Sequence, residues 1–145
     1  MTVSQNESNS RRTVVVPGAQ GISGRTVLER YAASTGTTVY GLSRRPADSA
    51  ENVQHISVDP LNPNDVKAKL GHLTETTHLV FGAYVEKPTA AEKAEVNVGL
   101  LKSLLDVLET SAPELRHITL YQGGTAYGSD LGPYKKPSRE DDPRF

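Results

Sequence analysis

Residues 14–31 read VVVPGAQGISGRTVLERY, and this stretch decides the fold of the chain. The β-branched run at residues 13–16 leads into three glycines, Gly18, Gly21 and Gly24, in the spacing G-x-x-G-x-x-G. Continuous runs of this kind are typical of strands that are buried on both faces of a parallel sheet. The apolar residues after the glycines recur at helical spacing. The stretch therefore predicts a strand, a tight glycine turn and a helix.

The order of the three glycines suits a nucleotide phosphate. Gly18 would form the tight turn, Gly21 would let the backbone approach a pyrophosphate, and Gly24 would let helix and strand pack closely. The pyrophosphate would then lie on the exposed amides at the positive end of the helix dipole. The alternative is an ordinary strand-to-helix turn, because three glycines alone are a weak motif. We predict a phosphate-binding turn that includes Gln20 and Ile22.

The rest of the chain continues the alternation of strands and helices. A helix is predicted to begin at Asn62-Pro63, where Asn62 would cap the first turn. Thr89 and Glu92 have the spacing of a capping box at the start of a longer helix. Further strands are predicted at residues 37–42, 53–58, 77–83 and 117–121. The pattern predicts an α/β fold with a three-layer, Rossmann-like, doubly wound parallel sheet of about five strands.

The apolar spacing also predicts which helix residues face the core. In the first of these two helices the stripe consists of Val66, Leu70 and Leu73. The second helix is predicted to end near residues 111–113 and to bury Val96, Leu100, Leu101, Leu104, Leu105 and Leu108.

Composition divides the chain into three parts. Residues 1–12 form a polar arm that is rich in Ser and Asn, and we expect it to be disordered. Residues 13–122 carry the periodic apolar pattern of a nucleotide-binding domain. Residues 123–145 are rich in Gly, Pro and charge, without such a pattern, and are predicted to be loop.

Charge and residue usage exclude several classes of protein. The 145 residues contain 16 Lys and Arg against 17 Asp and Glu, a net charge of -1, which argues against a nucleic-acid or membrane-surface protein. Cysteine is absent, and the four histidines show no metal-ligand spacing. No apolar run approaches the roughly 18 residues of a membrane helix, and the amino terminus has no signal-peptide core. We expect a cytoplasmic protein without a metal.

The end of the second strand predicts which dinucleotide is bound. A site that prefers NAD usually places an acid about 20 residues after the glycine turn, where it binds the ribose 2′-hydroxyl. Here Ser43, Arg44 and Arg45 occupy that strand end. A guanidinium group can bind the additional phosphate of NADP in bidentate fashion. The alternative is a pair of solvated arginines, and the interpretation favoured here is an NADP(H) site.

Two further strand ends are predicted to contribute to this site. Asp59 follows the third strand, where the adenine amino group would lie, although it could equally cap the next turn. Gly82 and Ala83 end the fourth strand and are small enough to admit the cofactor's ribose.

The chain resembles the short-chain dehydrogenase/reductase superfamily, and more narrowly the branch that contains progesterone 5β-reductase and iridoid synthase. The resemblance covers nearly the whole chain, through the segments VVVPGAQGISG, VYGLSRRP, VDPLNP, THLVFGAYV, AEVNVGLLKSLLDVL and LYQGGTAYGSDLGPYKKPSREDDPRF. It implies an NADPH-dependent reductase that adds hydride to a carbon–carbon double bond conjugated to a carbonyl. Relatives in fungi imply a small-molecule substrate and a secondary-metabolite pathway.

The catalytic residues of this branch are not matched here. The branch carries its Lys in a stretch like T-G-x-K-x-Y-G, and the corresponding residues 122–128 place Thr125 at the Lys position. The catalytic Tyr of the branch comes on a later helix, and Tyr127 is the remaining candidate acid, without a partner Lys. We therefore expect a chain truncated before the final strands and the substrate domain, and without full catalytic activity.

Two alternatives stay open. One is a non-catalytic NADP-binding regulator or partner-binding protein, comparable to NmrA-like proteins of the same fold. The other is a complex in which another chain completes the site. Because residues 117–121 would form an apolar sheet edge, we also expect possible self-association there.

Overall fold

The computed structural model describes residues 11–129 and 131–144. Within them the strands are β1 (Arg12–Pro17), β2 (Thr37–Ser43), β3 (Val53–Ser57), β4 (His78–Phe81) and β5 (His117–Leu120). The α-helices are α1 (Ile22–Ala32), α2 (Pro63–Leu70) and α3 (Ala90–Ser111). All strand pairs are parallel, in the order β3-β2-β1-β4-β5. The predicted Rossmann-like sheet is confirmed.

Strand β1 lies at the centre of the sheet, and its alternating side chains divide the core in two. Val14 and Val16 belong to the cluster against which α1 packs, whereas Val15 belongs to the cluster beneath α2 and α3. All three valines are fully buried. Burial on both faces explains why this strand is a continuous apolar run and not an alternating one.

The two predicted helix caps are present. The Asn62 side chain accepts hydrogen bonds from the backbone N–H groups of Asn64 (3.1 Å) and Asp65 (3.2 Å). Thr89 Oγ1 accepts from the N–H of Glu92, and Glu92 Oε2 accepts from the N–H of Thr89, which completes the capping box. These bonds satisfy donors that helix ends otherwise leave unpaired.

The predicted apolar stripe of α3 is partly correct. Leu100, Leu104 and Leu108 are fully buried. The other three members, Val96, Leu101 and Leu105, are only half-buried. Positions spaced by four face the sheet directly, and their neighbours lie at the flanks of the contact.

Several predicted boundaries shift. Strand β1 begins at Arg12, which the composition had assigned to the polar arm; residues 1–10 of that arm lie outside the described part. Strand β4 ends at Phe81 and not at Ala83. The Gly82 N–H still donates to the Pro17 carbonyl oxygen at 3.1 Å, so the backbone pairing continues one residue further.

The segment predicted to be entirely loop contains a 3-10 turn, Gly124–Tyr127. Its bonds run from the N–H of Ala126 to the carbonyl of Gly123 and from the N–H of Gly128 to the carbonyl of Thr125. Gly128 closes the turn with a φ of 83°. Because the turn spans only four residues, it leaves no apolar period in the sequence to predict it.

Strand β5 forms one edge of the sheet and is the least buried strand. Its exposed apolar side chains are Ile118 (42%) and Leu120 (49%), followed by Tyr121 (54%). In residues 11–129 and 131–144, no helix combines the length and the hydropathy that a membrane span needs. Among the described side chains, no group of three His, Cys, Asp or Glu residues could hold a metal ion.

Candidate dinucleotide-binding site

The candidate site lies where the strand order reverses. The chain runs outward from β1 to β2 and β3, and then returns to β4 on the other side of β1. Ligands of open parallel sheets bind in the crevice beyond the carboxyl ends of the strands at such a point. A cavity of about 800 Å³ opens there, within the range of small-molecule sites.

The cavity collects the predicted cofactor residues from four separate strand ends. Ten of the eleven line its wall: Gly18, Gln20, Gly21, Ile22, Ser43, Arg44, Arg45, Asp59, Gly82 and Ala83. The eleventh, Gly24, lies behind the turn and packs against it. The topology therefore brings together residues that are up to 65 positions apart in the chain, from Gly18 to Ala83.

Glycine is required at two positions of the turn by close backbone contact. Gly18 has a φ of 79°, and a Cβ there would lie 2.7 Å from the carbonyl carbon of Gly82. A Cβ on Gly24 would lie 2.1 Å from the carbonyl oxygen of Gly18. These distances are far inside van der Waals contact, so the turn can lie flat against both the helix and the end of β4 only without side chains.

The first turn of α1 is open to an anion. Its N-cap is Gly21, with no side-chain cap and no acid in the first turn, whereas Asn62 and Thr89 cap the other two described α-helices with their side chains. Ile22, the first residue of α1, is 93% exposed. Uncapped amides at the positive end of the helix dipole fit a phosphate group. Together with the glycine cradle, these residues fit the pyrophosphate of a dinucleotide.

The loop after β2 presents positive charge to the cavity. Arg44 and Arg45 are exposed and line it. Asp59 is the single acid among the described residues that line the cavity. The backbone of this loop is held by hydroxyl groups: Ser43 Oγ donates to the Arg45 carbonyl at 2.6 Å, and Ser57 Oγ to the Arg44 carbonyl at 2.9 Å.

Asp59 makes the capping contact that the sequence predicted, and it also lines the cavity. Its Oδ1 accepts a hydrogen bond from the N–H of Leu61 at 3.1 Å, so the carboxylate caps the turn before α2. The Asp59 N–H donates to Asp65 Oδ2 at 2.8 Å. That hydrogen bond, helped by Lys69, lowers the pKa of Asp65. The carboxylates of Asp59 and Asp65 thus shape the cavity floor through the backbone.

Sequence reasoning missed the apolar wall of the cavity. Leu100 and Leu104, predicted as ordinary core residues of α3, also line the cavity, with Val58 and Leu61 from the turn after β3. A helical stripe does not distinguish a residue that faces the core from one that faces a cavity beside it. Such a wall offers a flat ring an apolar surface to pack against.

A second missed residue is Asn97, a polar side chain on α3. Its Oδ1 accepts from the N–H of Val85, and its Nδ2 donates to the carbonyl of Val85, both at 2.8 Å. This two-way bond fixes the loop after β4, where Tyr84 and Val85 line the cavity. The signal in the sequence was an amide within an apolar helical stripe.

The two catalytic candidates lie on the 3-10 turn. Thr125 is exposed and Tyr127 is half-buried. Neither is among the residues that line the cavity. Tyr84 does line the cavity, but no lysine is among the described residues that line it, so these residues form no tyrosine–lysine pair in the cavity wall.

Comparison with known proteins agrees with this geometry. The family model described as a PRISE-like Rossmann-fold domain matches residues 48–144. The chain is 33% identical over 144 residues to (S)-8-oxocitronellyl enol synthase ISY1 from Nepeta racemosa, covering 93% of this chain and 36% of the relative. It is 30% identical over 118 residues to 3-oxo-Delta(4,5)-steroid 5-beta-reductase from Arabidopsis thaliana, and the match covers 74% of this chain and 30% of that relative.

A solved structure has the same fold. It is a short-chain dehydrogenase/reductase superfamily protein from Agrobacterium tumefaciens with bound NAD, with a TM-score of 0.69 at 20% identity, covering 92% of this chain and 39% of that one. The chain spans about a third of the length of the curated relatives that it matches. The resemblance inferred from the sequence is thereby confirmed, and the chain belongs to the PRISE-like Rossmann-fold family.

Proposed function

We propose that this chain is the NADP(H)-binding part of a reductase that acts on small conjugated carbonyl compounds. The observation that carries the proposal is the end of β2, where Arg44 and Arg45 line the cavity in place of an acid. An acid there would repel the 2′-phosphate of NADP, whereas a guanidinium group binds it with charge-assisted hydrogen bonds.

Each part of the wall has a role in holding the dinucleotide. The uncapped amides of α1 would bind the pyrophosphate, and the arginine loop would bind the 2′-phosphate. The apolar wall of Val58, Leu61 and Leu104 would cover an adenine ring. When bound, NADPH would supply a hydride. The protein's contribution at this site is to bind and orient the cofactor and to exclude water.

The substrate class is inferred from the family. The Nepeta relative is named as an oxocitronellyl enol synthase and the Arabidopsis relative as a steroid 5-beta-reductase. Both names point to small carbonyl compounds, and we propose a role in a secondary-metabolite pathway. Because Thr125 stands at the position of the family Lys and lies outside the cavity wall, we propose that residues 1–145 hold the cofactor without reducing a substrate.

The second candidate is a non-catalytic NADP-binding protein that senses redox state or binds a partner. The position of Thr125 outside the cavity wall favours it, because a site without the tyrosine–lysine pair of the family can bind a cofactor and still have no turnover. Reading the coding sequence after the Phe145 codon separates the two candidates. An in-frame helix that carries the catalytic Tyr supports the reductase, and a stop codon supports the regulator.

Fluorescence titration with NADPH and NADH tests the cofactor proposal directly. We expect binding of both nucleotides, with NADPH bound more tightly. Equal affinities, or no binding, would refute it.

A further inference from the structure

The side chain of Gln20 connects the phosphate-binding turn to the arginine loop. Gln20 lies between Gly18 and Gly21, and its Nε2 reaches across the cavity rim to the loop after β2. There it donates to Ser43 Oγ at 3.0 Å, to the Arg45 carbonyl at 2.8 Å and to the Pro46 carbonyl at 3.3 Å. The two segments are more than 20 residues apart in the chain, and the backbone N–H groups of Gly18 and Ala19 also donate to the Leu42 carbonyl at the end of β2.

Three consecutive carbonyls of the arginine loop accept hydrogen bonds from side chains. The Arg44 carbonyl accepts from Ser57, the Arg45 carbonyl from both Ser43 and Gln20, and the Pro46 carbonyl from Gln20. Residues 44–52, all within the described part of the chain, contain no α-helix or 3-10 helix, so the loop has no helical hydrogen bonds of its own. Side-chain donors therefore hold the carbonyl groups of residues 44–46.

The direction of these carbonyls matters for phosphate binding. A carbonyl oxygen that faces the 2′-phosphate would repel it, since both carry negative charge. Gln20 and Ser43 instead engage the Arg45 carbonyl oxygen in hydrogen bonds. The two protons of the Gln20 amide are thereby used on the loop, which makes this side chain a holder of the loop and not a phosphate ligand.

We propose that Gln20 is the positioning residue for the NADP preference of this site. It fixes the distance between the arginine loop, which would bind the 2′-phosphate, and the glycine turn, which would bind the pyrophosphate. Both phosphate groups on the adenosine part of the cofactor can then be bound at the same time. This inference rests on the proposed binding of NADP(H).

The test compares both nucleotides in three variants of the chain. Gln20→Met keeps the length of the side chain and removes the donor, and Gln20→Glu puts a carboxylate against the carbonyls. The exposed Gln54 on β3 supplies the matched control, Gln54→Met. We expect Gln20→Met to raise the Kd for NADPH about five- to tenfold, the effect of losing one good hydrogen bond. The Kd for NADH should change less than about twofold, and Gln20→Glu should weaken NADPH binding further.

A variant that lacks both arginines shows whether Gln20 affects NADPH binding by positioning them. In the background Arg44→Ala, Arg45→Ala, adding Gln20→Met should leave the ratio of the two affinities unchanged, because nothing remains to be positioned. The inference would be overturned if Gln20→Met lowered the affinities for NADPH and NADH equally. It would also be overturned if Gln20→Met lowered the ratio of the two affinities further in the variant that lacks both arginines.

Trypsin cleavage without nucleotide gives an independent readout. Trypsin cuts the bond after Arg44 but not the bond between Arg45 and Pro46. Gln20→Met should speed the cut after Arg44, since a released loop opens more readily, while Gln54→Met should not. A wild-type preference for NADPH that survives Gln20→Met would overturn this inference alone. A wild-type chain without that preference would overturn the proposed cofactor and this inference with it.

Discussion

The carbonyl oxygen of Gly18 occupies the place where a side chain on Gly24 would begin. A Cβ on Gly24 would lie 2.1 Å from that oxygen and 2.6 Å from the Gly18 carbonyl carbon. The helix α1 can therefore start directly on the turn that precedes it. A Cβ on Gly18 would in turn meet the backbone of Gly82 and Ala83. The turn, the helix and the end of β4 are packed backbone against backbone.

We expect Gly24→Ala to destabilise the chain by about 1–3 kcal/mol, the usual range for a side chain forced into a packed site. Nucleotide binding should be lost as well, because the first turn of α1 must move away from Gly18. Thermal unfolding and NADPH titration measure the two effects. The matched control is Gly99→Ala in α3, where a Cβ meets no atom within 4 Å. It should stabilise the helix by about 0.5–1 kcal/mol. Equal behaviour of the two variants would contradict the close contact.

The arginine pair should decide between the two cofactors. Arg44→Ala and Arg45→Ala should each lower the affinity for NADPH roughly tenfold, since a hydrogen bond to a charged group contributes about 1.5–3 kcal/mol. Affinity for NADH should hardly change. Arg30→Ala, in the last turn of α1 and outside the cavity wall, is the control. Unchanged NADPH binding in both site variants would mean that the arginines are merely solvated.

Turnover by residues 1–145 should be negligible even with NADPH bound. General acid–base catalysis contributes about 10²–10⁴-fold, and the pair that supplies it in the family is unmatched here. Thr125→Lys should restore nothing, because Thr125 lies outside the cavity wall. NADPH consumption with a panel of conjugated enones measures this. A turnover number near the ordinary range of about 1–10³ per second would reveal an acid that we have not identified. If that turnover were then lost in Tyr127→Phe, the acid would be Tyr127.

The exposed edge at β5 should make the chain self-associate. Ile118 and Leu120 expose apolar surface on a strand whose outer edge has no neighbouring strand among the described residues. Sedimentation velocity at rising concentration should show association, and Leu120→Lys should reduce it. Leu131→Lys, on an exposed residue outside the sheet, should not. A chain that stays monomeric at every concentration would contradict the prediction of self-association.

Bound NADPH should raise the Tm of the chain, since it binds the folded state.

Acid should weaken the turn that carries Asp59. The pKa of Asp65 is lowered by the hydrogen bond from the Asp59 N–H and by Lys69. A depressed carboxyl pKa contributes stability that is full above the ordinary value of 3.8 and is lost as the pH falls through the lower folded-state value. Asp65→Asn should therefore lower the Tm at pH 7, and this loss of Tm should shrink at an acidic pH below the ordinary value of 3.8. An equal loss at both pH values would show that charge is irrelevant here.

The residue pattern alone predicted the five strands, the three α-helices and their order. Strand β1 is a β-branched run because both its faces are buried, and the caps at Asn62 and Thr89 are local bonds within three residues. Alternating strands and helices then admit few topologies. The glycine spacing and the arginine pair likewise indicated the site, since both are short motifs. The 3-10 turn at Gly124–Tyr127 escaped because four residues carry no period.

Only the tertiary structure decided how the parts of the site meet. Three features of the site depend on segments that are far apart in the chain. They are the close approach of Gly18 to Gly82, the hydrogen bond from Gln20 to the Arg45 carbonyl, and the position of Leu104 in the cavity wall. The spacing of apolar residues indicates on which face of a helix or strand a side chain lies, but it does not indicate which other segment packs against that face. The partner is set by the order of the strands, and in a parallel sheet every connection brings the next strand end back to the same edge. Residues distant in the sequence therefore meet there only once the chain has folded.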